Sequence, residues 1–208
     1  MPKPEFDHEG KGNIPIPIGN ETIIFQGKMI EIVNQQMRIG LNEVTFERAR
    51  RSPGIRLLIT SQTGKMLLTK EYRSEIEGWD YRLPGGKVFD SLQEYNEALK
   101  NNEDMIVKSR YAAQKEAREE VGIETEDVSH FYTSKCGGTV EWDLHYFAVK
   151  VLSEQLGEQK LEAGENIEVG WYTSGEAMDL ALSENMSEDR SAAVLMRYIT
   201  RNIQKGGT

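Results

Sequence analysis

Three glutamates carry the strongest chemical signal in this sequence: Glu116, Glu119 and Glu120, within Ala112-Ala113-Gln114-Lys115-Glu116-Ala117-Arg118-Glu119-Glu120-Val121-Gly122-Ile123. At about 100° per residue on a helix, Ala113, Ala117 and Val121 form one apolar stripe, and the three carboxylates cluster on the adjoining face. Like charges three and four residues apart oppose each other by a few tenths of a kcal/mol. Acids in the last helical turn also face the negative end of the helix dipole, at a cost of about 0.3–1 kcal/mol. Lys115 and Arg118 offset part of this. Such a run is commonly a solvated face; the sharper reading is a divalent-cation site, because hard oxygen ligands on one rigid face suit Mg²⁺ or Mn²⁺, and Mg²⁺ suits phosphate substrates. Leu83-Pro84-Gly85-Gly86-Lys87 offers a complementary piece, a turn whose glycines expose carbonyls and let the chain pass close to a ligand.

These residues need a scaffold, and the pattern of the chain supplies one. Helical propensity is strong over 107–121, with Gly122 placed as the left-handed residue that ends the helix. Residues 1–20, rich in proline, glycine and charge, read as an arm. Alternating segments at 22–25, 29–33 and 43–47 read as antiparallel strands, and 55–60 with 65–69 as a hairpin joined by Ser-Gln-Thr-Gly. Further strands are expected at 79–83, 129–134, 142–152 and 167–172, a short exposed helix at 91–100, and a final helix around 187–203.

Length and charge narrow the function. The 208 residues allow one elaborated domain or a domain with an extension. With 25 basic and 34 acidic side chains the net charge is −9, so the global field repels polyanions, and no nucleic-acid partner is expected. Any phosphate must be met by a local basic site or a metal. No stretch approaches the roughly 20 apolar residues of a membrane span, so no membrane partner is expected. The single cysteine, Cys136, forms no intramolecular disulfide; it is read as a packed thiol, and the cytoplasm as the default location.

Together, the glycine turn and the carboxylate helix resemble the Nudix box, G-x5-E-x7-R-E-U-x-E-E-x-G-U, where U is a bulky apolar residue. Gly86 matches the opening glycine, and residues 115–123 match the closing nine positions. Three departures stand out. About 15 extra residues separate the two halves, the middle glutamate has no counterpart because Val107 falls at its position, and Lys115 replaces the arginine.

The resemblance implies an α+β fold, a Nudix-type α/β/α sandwich around a mixed sheet, here with an N-terminal antiparallel β extension. Residues 1–52 would be the arm and a dimerisation region, and 53–208 the hydrolase domain. It further implies Mg²⁺-dependent (or Mn²⁺-dependent) hydrolysis of a nucleoside diphosphate linked to another moiety. Glu116, Glu120 and the Gly85 carbonyl would bind metal, with Glu119 a further ligand or water-orienting group. Lys70-Glu71-Tyr72-Arg73 and Gly164-Glu165-Asn166-Ile167-Glu168-Val169 are similar to the ADP-ribose pyrophosphatase and nucleotide-sugar hydrolase branch. Arg56 and Arg73 are candidates for phosphate contacts, and Phe46 and Trp79 for stacking on a base. Glu162 and Glu165, on a glycine-containing loop, join Glu119 as candidates for the group that takes a proton from water. A homodimer is expected, because the strands at 22–47 are too few for a core of their own. The rival readings are a nucleotide-sensing module without catalysis and a dinucleoside polyphosphate hydrolase.

Overall fold

A computed structural model describes residues 14–125, 127–161 and 166–206. The first three strands, β1 (Ile16–Gln26), β2 (Ile30–Ile39) and β3 (Asn42–Arg51), form an antiparallel meander, and β8 (Val140–Glu141) adds to it in parallel beside β3. The arm is therefore shorter than its composition suggests. The strand begins at Ile16 and includes Pro17, which an edge strand tolerates because its amide side faces outward.

The second sheet has the order β10-β5-β4-β9-β7, built from β4 (Gly54–Ser61), β5 (Met66–Arg73), β7 (Val128–Ser134), β9 (Leu144–Val151) and β10 (Ile167–Tyr172). β4 and β9 run parallel among otherwise antiparallel neighbours, so the sheet is mixed, as expected. β4 is buried along nearly its whole length and faces two layers. Ile55, Leu57 and Ile59 point to Ala113, Ala117 and Val121 of α2 (Met105–Val121). Leu58, one position out of phase, joins the opposite core with α3 (Ser174–Leu182) and α4 (Asp189–Gly206). The period of two along one strand thus sets the helix–sheet–helix layering.

β4 and β5 pair beside their connecting turn, Thr60 with Met66, and beyond it they part. Into the gap come β6 (Gly78–Arg82), paired with β5, and the Leu-Pro-Gly-Gly turn, hydrogen-bonded to β4. The residues between Gly86 and Glu116 hold α1 (Leu92–Lys100), capped by Ser91 and anchored to the N-terminal sheet through Asn96 and the buried Glu31, 3.0 Å apart.

Three expectations need correction. α3 was not expected, because Gly175 weakens the pattern; the capping box of Thr173 with Glu176 was the available signal. The strand expected over 142–152 starts at Leu144, with Trp142 and Asp143 outside it. Cys136 is exposed rather than packed, on the glycine-rich segment between β7 and β8.

Candidate active site

α2 is fixed at both ends before it positions anything. The Asp104 carboxylate accepts from the amides of Ile106 and Val107, and Gly122 closes the helix at φ 66°. Alanines at 113 and 117 let the helix lie close on the sheet, and this turns Glu116, Glu119 and Glu120 toward the glycine turn. The turn itself is an extension of the sheet. Leu57 N–H donates to the Pro84 carbonyl at 2.8 Å, and Ile55 N–H to that of Gly86 at 2.9 Å. Gly85 has φ 153°, and a Cβ there would strike the Ile55 carbonyl, so the approach requires glycine.

Between helix and turn is a recess of about 70 Å³ lined by Gly85, Gly86, Glu116, Glu119 and Glu120, with Lys87 and Lys160 at its border. The sequence-identified group is thus brought together. Gly85 N–H donates to Glu120 Oε2 at 2.7 Å, and a Cβ on Gly86 would collide with the Glu116 carboxylate. Lys115 Nζ lies 3.3 Å from Glu119 Oε2. Burial opposes the Lys115 charge, but the hydrogen bond to Glu119 and the charges of Glu119 and Glu116 outweigh it and raise the ammonium above its ordinary value.

The unfavourable helix end is relieved by the segment following β9. Lys160 N–H donates to the Glu119 carbonyl at 2.8 Å, Gly157 N–H to that of Gly122 at 3.1 Å, and the Gln159 amide to that of Glu120 at 2.6 Å. These donors satisfy carbonyls whose partial charge would otherwise face the acids.

Among the described residues no three acidic, histidine or cysteine side chains converge closely enough to hold a metal ion as they stand. Glu119 is engaged by Lys115 and Glu120 by the Gly85 amide, which keeps like charges apart. The donor set nevertheless fits a hard divalent cation: three carboxylates beside a glycine turn around one small recess, with glycine where a side chain would crowd Glu116.

The recess opens beside a cleft of about 530 Å³ that runs across the strand ends. Arg56 and Arg73 both line it, each inside an ion pair. Arg73 lies 3.1 Å from Glu71 and 2.6 Å from Glu75. Arg56 is clamped by Glu188 at 2.8 and 2.9 Å and donates to the Ile55 carbonyl. Phe46 and Trp79 lie elsewhere. Phe46 is exposed on β3, while Trp79, 42% exposed on β6, packs edge-on against Tyr72 with Lys70 Nζ 5.0 Å from its ring. Glu162 and Glu165 fall outside the described residues; the flanking Lys160 borders the recess and Ile167 lines the cleft.

Sequence reasoning did not single out Glu188, Asp80, Arg51 or Trp142. Asp80, fully buried, accepts from the Ser187 amide at 2.7 Å, the Ser187 hydroxyl at 2.8 Å and Arg82 at 2.7 Å, pinning the segment that carries Glu188. A buried acid in a β-type alternation was the one signal for it.

The NUDIX domain description matches residues 50–194, which include the turn, the recess and the cleft. The ADP-ribose pyrophosphatase of Bacillus subtilis (strain 168) is 24% identical over 173 residues, covering 81% of this chain and 84% of that protein. A crystal structure of an ADP compounds hydrolase has the same fold, with a TM-score of 0.63 at 18% identity, covering 93% of this chain and 95% of that one. The glycine turn facing three helical glutamates lies within a family match that spans most of the molecule, and the chain belongs to the NUDIX domain family.

Proposed function

We propose that this protein hydrolyses the diphosphate bond of a nucleoside diphosphate linked to another moiety, most readily ADP-ribose or a nucleotide sugar, with Mg²⁺ or Mn²⁺. The observation that carries this reading is the glutamate recess opening onto the arginine-lined cleft. Similarity to an ADP-ribose pyrophosphatase supports the substrate class.

Glu116, Glu120 and the Gly85 carbonyl would hold the metal, with Glu119 a further ligand or the group that orients water. A bound divalent ion supplies charge neutralisation at the diphosphate and a lowered pKa for water. The protein's own side chains do the rest. Arg73 and Arg56 lend positive potential to the phosphates from within their ion pairs. A carboxylate, Glu165 or Glu162 ahead of Glu119, takes the proton from the attacking water. Phe46, on the N-terminal sheet, reaches a base only across a dimer interface, so the homodimer is part of this reading; Trp79 is the second stacking candidate.

Turnover of ADP-ribose, nucleotide sugars and dinucleoside polyphosphates should be compared with and without Mg²⁺. The proposal expects metal-dependent cleavage of the first two classes. Preferential cleavage of the third would make the protein a dinucleoside polyphosphate hydrolase, and tight binding without cleavage would make it a sensing module.

A further inference from the structure

A second cavity, of about 400 Å³, lies between α3, the end of β10 and β6, with Tyr81, Tyr172, Glu176, Asp179 and Leu180 in its wall. It is not an extension of the cleft. Neighbouring strand residues point to opposite faces, so Arg82 lines the cleft while Tyr81 lines this cavity. The Tyr81 and Tyr172 rings stand at 89° with centroids 5.9 Å apart, a right-angled aromatic corner. Two backbone features hold it. The Tyr81 amide donates to the Asn185 carbonyl at 2.7 Å, tying β6 to the segment after α3. A Cβ at Gly170 would come within 2.9 Å of the Tyr172 ring, so glycine there lets the ring lie back along β10.

Helix α3 closes the corner with negative charge. Glu176, Asp179 and Leu180, at i, i+3 and i+4, share one helical face. Hydrogen bonds from the Thr173 amide and hydroxyl lower the Glu176 carboxyl below its ordinary value, so it is ionised at neutral pH. Among the described residues the exposed Asp179 makes no hydrogen bond and no ion pair. The last turn of α3 carries no basic residue, so the negative end of the helix dipole adds to the field around Asp179. The cavity wall holds two carboxylates and no cation. Lys65, whose charge reaches Glu176, is committed to Glu154 at 3.0 Å. Burial, the Tyr81 hydroxyl and the charges of Glu168 and Glu176 all raise the Tyr172 phenol, as a negative potential at the corner requires.

Aromatic faces attract a cation through the ring quadrupole, and ammonium groups are the usual beneficiaries. Side chains three positions apart on a helix lie about 5–6 Å apart at Cβ, a span that a short alkyl chain bridges. We propose that this cavity binds an alkyl diamine, with its ammonium groups on Glu176 and Asp179 and its methylenes on the tyrosine faces and Leu180. A metal ion, which prefers oxygen ligands, would leave the tyrosine faces and Leu180 without a partner. The site is separate from the glutamate recess, and it stands or falls independently of the hydrolysis proposed above.

Calorimetric titration of the full-length chain with 1,4-diaminobutane tests the site. An ionic strength of about 0.1 M screens the net charge of −9 beyond about 10 Å. One saturable site is expected. Asp179→Asn should weaken it about 3- to 5-fold and Tyr172→Leu about 5- to 30-fold, while Tyr172→Phe, which keeps the ring, should bind like the parent. Glu97→Gln on α1 removes an equal charge elsewhere and should leave binding unchanged. n-Butylamine, with one ammonium on the same chain, should bind more weakly than the diamine. Circular dichroism checks that each variant is folded; if Tyr172→Leu is not, Asp179→Asn and the n-butylamine comparison decide. Absence of saturable binding by the parent overturns the proposal. So does an equal loss in Asp179→Asn and Glu97→Gln, which marks attraction by the overall charge, or n-butylamine binding as tightly as the diamine.

Discussion

Glu188, the residue immediately ahead of α4, grips Arg56 of β4 with both carboxylate oxygens across 132 positions of sequence. Burial alone would raise the Glu188 carboxyl, but the Arg56 charge and hydrogen bonds from Arg56 and Ser191 outweigh it, taking it from 4.5 to about 2. A carboxyl with a depressed folded pKa stabilises the fold above its unfolded pKa and loses that contribution as pH falls through the folded one. About 3 kcal/mol should therefore disappear between pH 4.5 and 2. Glu188→Gln should remove this acid-sensitive component. At neutral pH it should also cost about 3–5 kcal/mol by stranding Arg56. Urea unfolding at pH 7, 4 and 3 checks both, and an unchanged acid slope in the variant would contradict the assignment.

Glu116→Gln and Glu120→Gln should each lower turnover by at least about 100-fold and raise the Mg²⁺ concentration needed for half-maximal rate. The fold should survive, because a glutamine oxygen at 120 still accepts from the Gly85 amide and repulsion at the helix end falls. Circular dichroism and metal titration of activity make the comparison. Near-normal rates in Glu120→Gln would sink the metal assignment.

For the proton acceptor, the Gln variants of Glu165 and Glu162 are expected to differ. One of them should lose about 10²–10⁴ in kcat with little change in metal or substrate affinity. Turnover within a few-fold of the parent in both would move the role to Glu119, which Lys115 already orients.

The N-terminal sheet should associate with a second copy. β1 is a sheet edge whose Ile16, Ile23, Ile24 and Phe25 are 61, 49, 51 and 59% exposed, an apolar surface uncommon on a monomer. Light scattering should give a dimer for the parent, while Ile24→Asp with Phe25→Asp should give a monomer of reduced activity. A parent that is monomeric and fully active would remove the dimer from the proposed function.

Much of the recess was legible because its determinants are local. Helical spacing groups Glu116, Glu119 and Glu120, glycine marks Gly85 and Gly86, and alternation marks β4 and β5. What sequence could not convey is nonlocal pairing. Nothing near Arg56 in the chain indicates that Glu188 will neutralise it, or that Arg51 will stack on Trp142 with no carboxylate beside it among the described residues. Residue type alone made Arg56 and Arg73 phosphate contacts and Phe46 and Trp79 base contacts. The fold places both arginines in the cleft, inside ion pairs, and leaves both aromatics outside it. α3 was hidden for another reason, since Gly175 in its first turn masked a capping box that tertiary packing of Ala177 and Ala181 reinforces.

The bonds from Leu57 and Ile55 to Pro84 and Gly86 make the glycine turn a part of the central sheet rather than a loop laid over it. Those two amides cannot exchange their protons with solvent unless β4 releases its neighbour, and β4 sits between both cores. Their exchange should accordingly follow global unfolding, slowing when the cleft is filled only by as much as the ligand stabilises the whole fold. Adaptation to a ligand is then left to carboxylate rotamers and to the rim, while the backbone floor of the cleft stays as permanent as the fold.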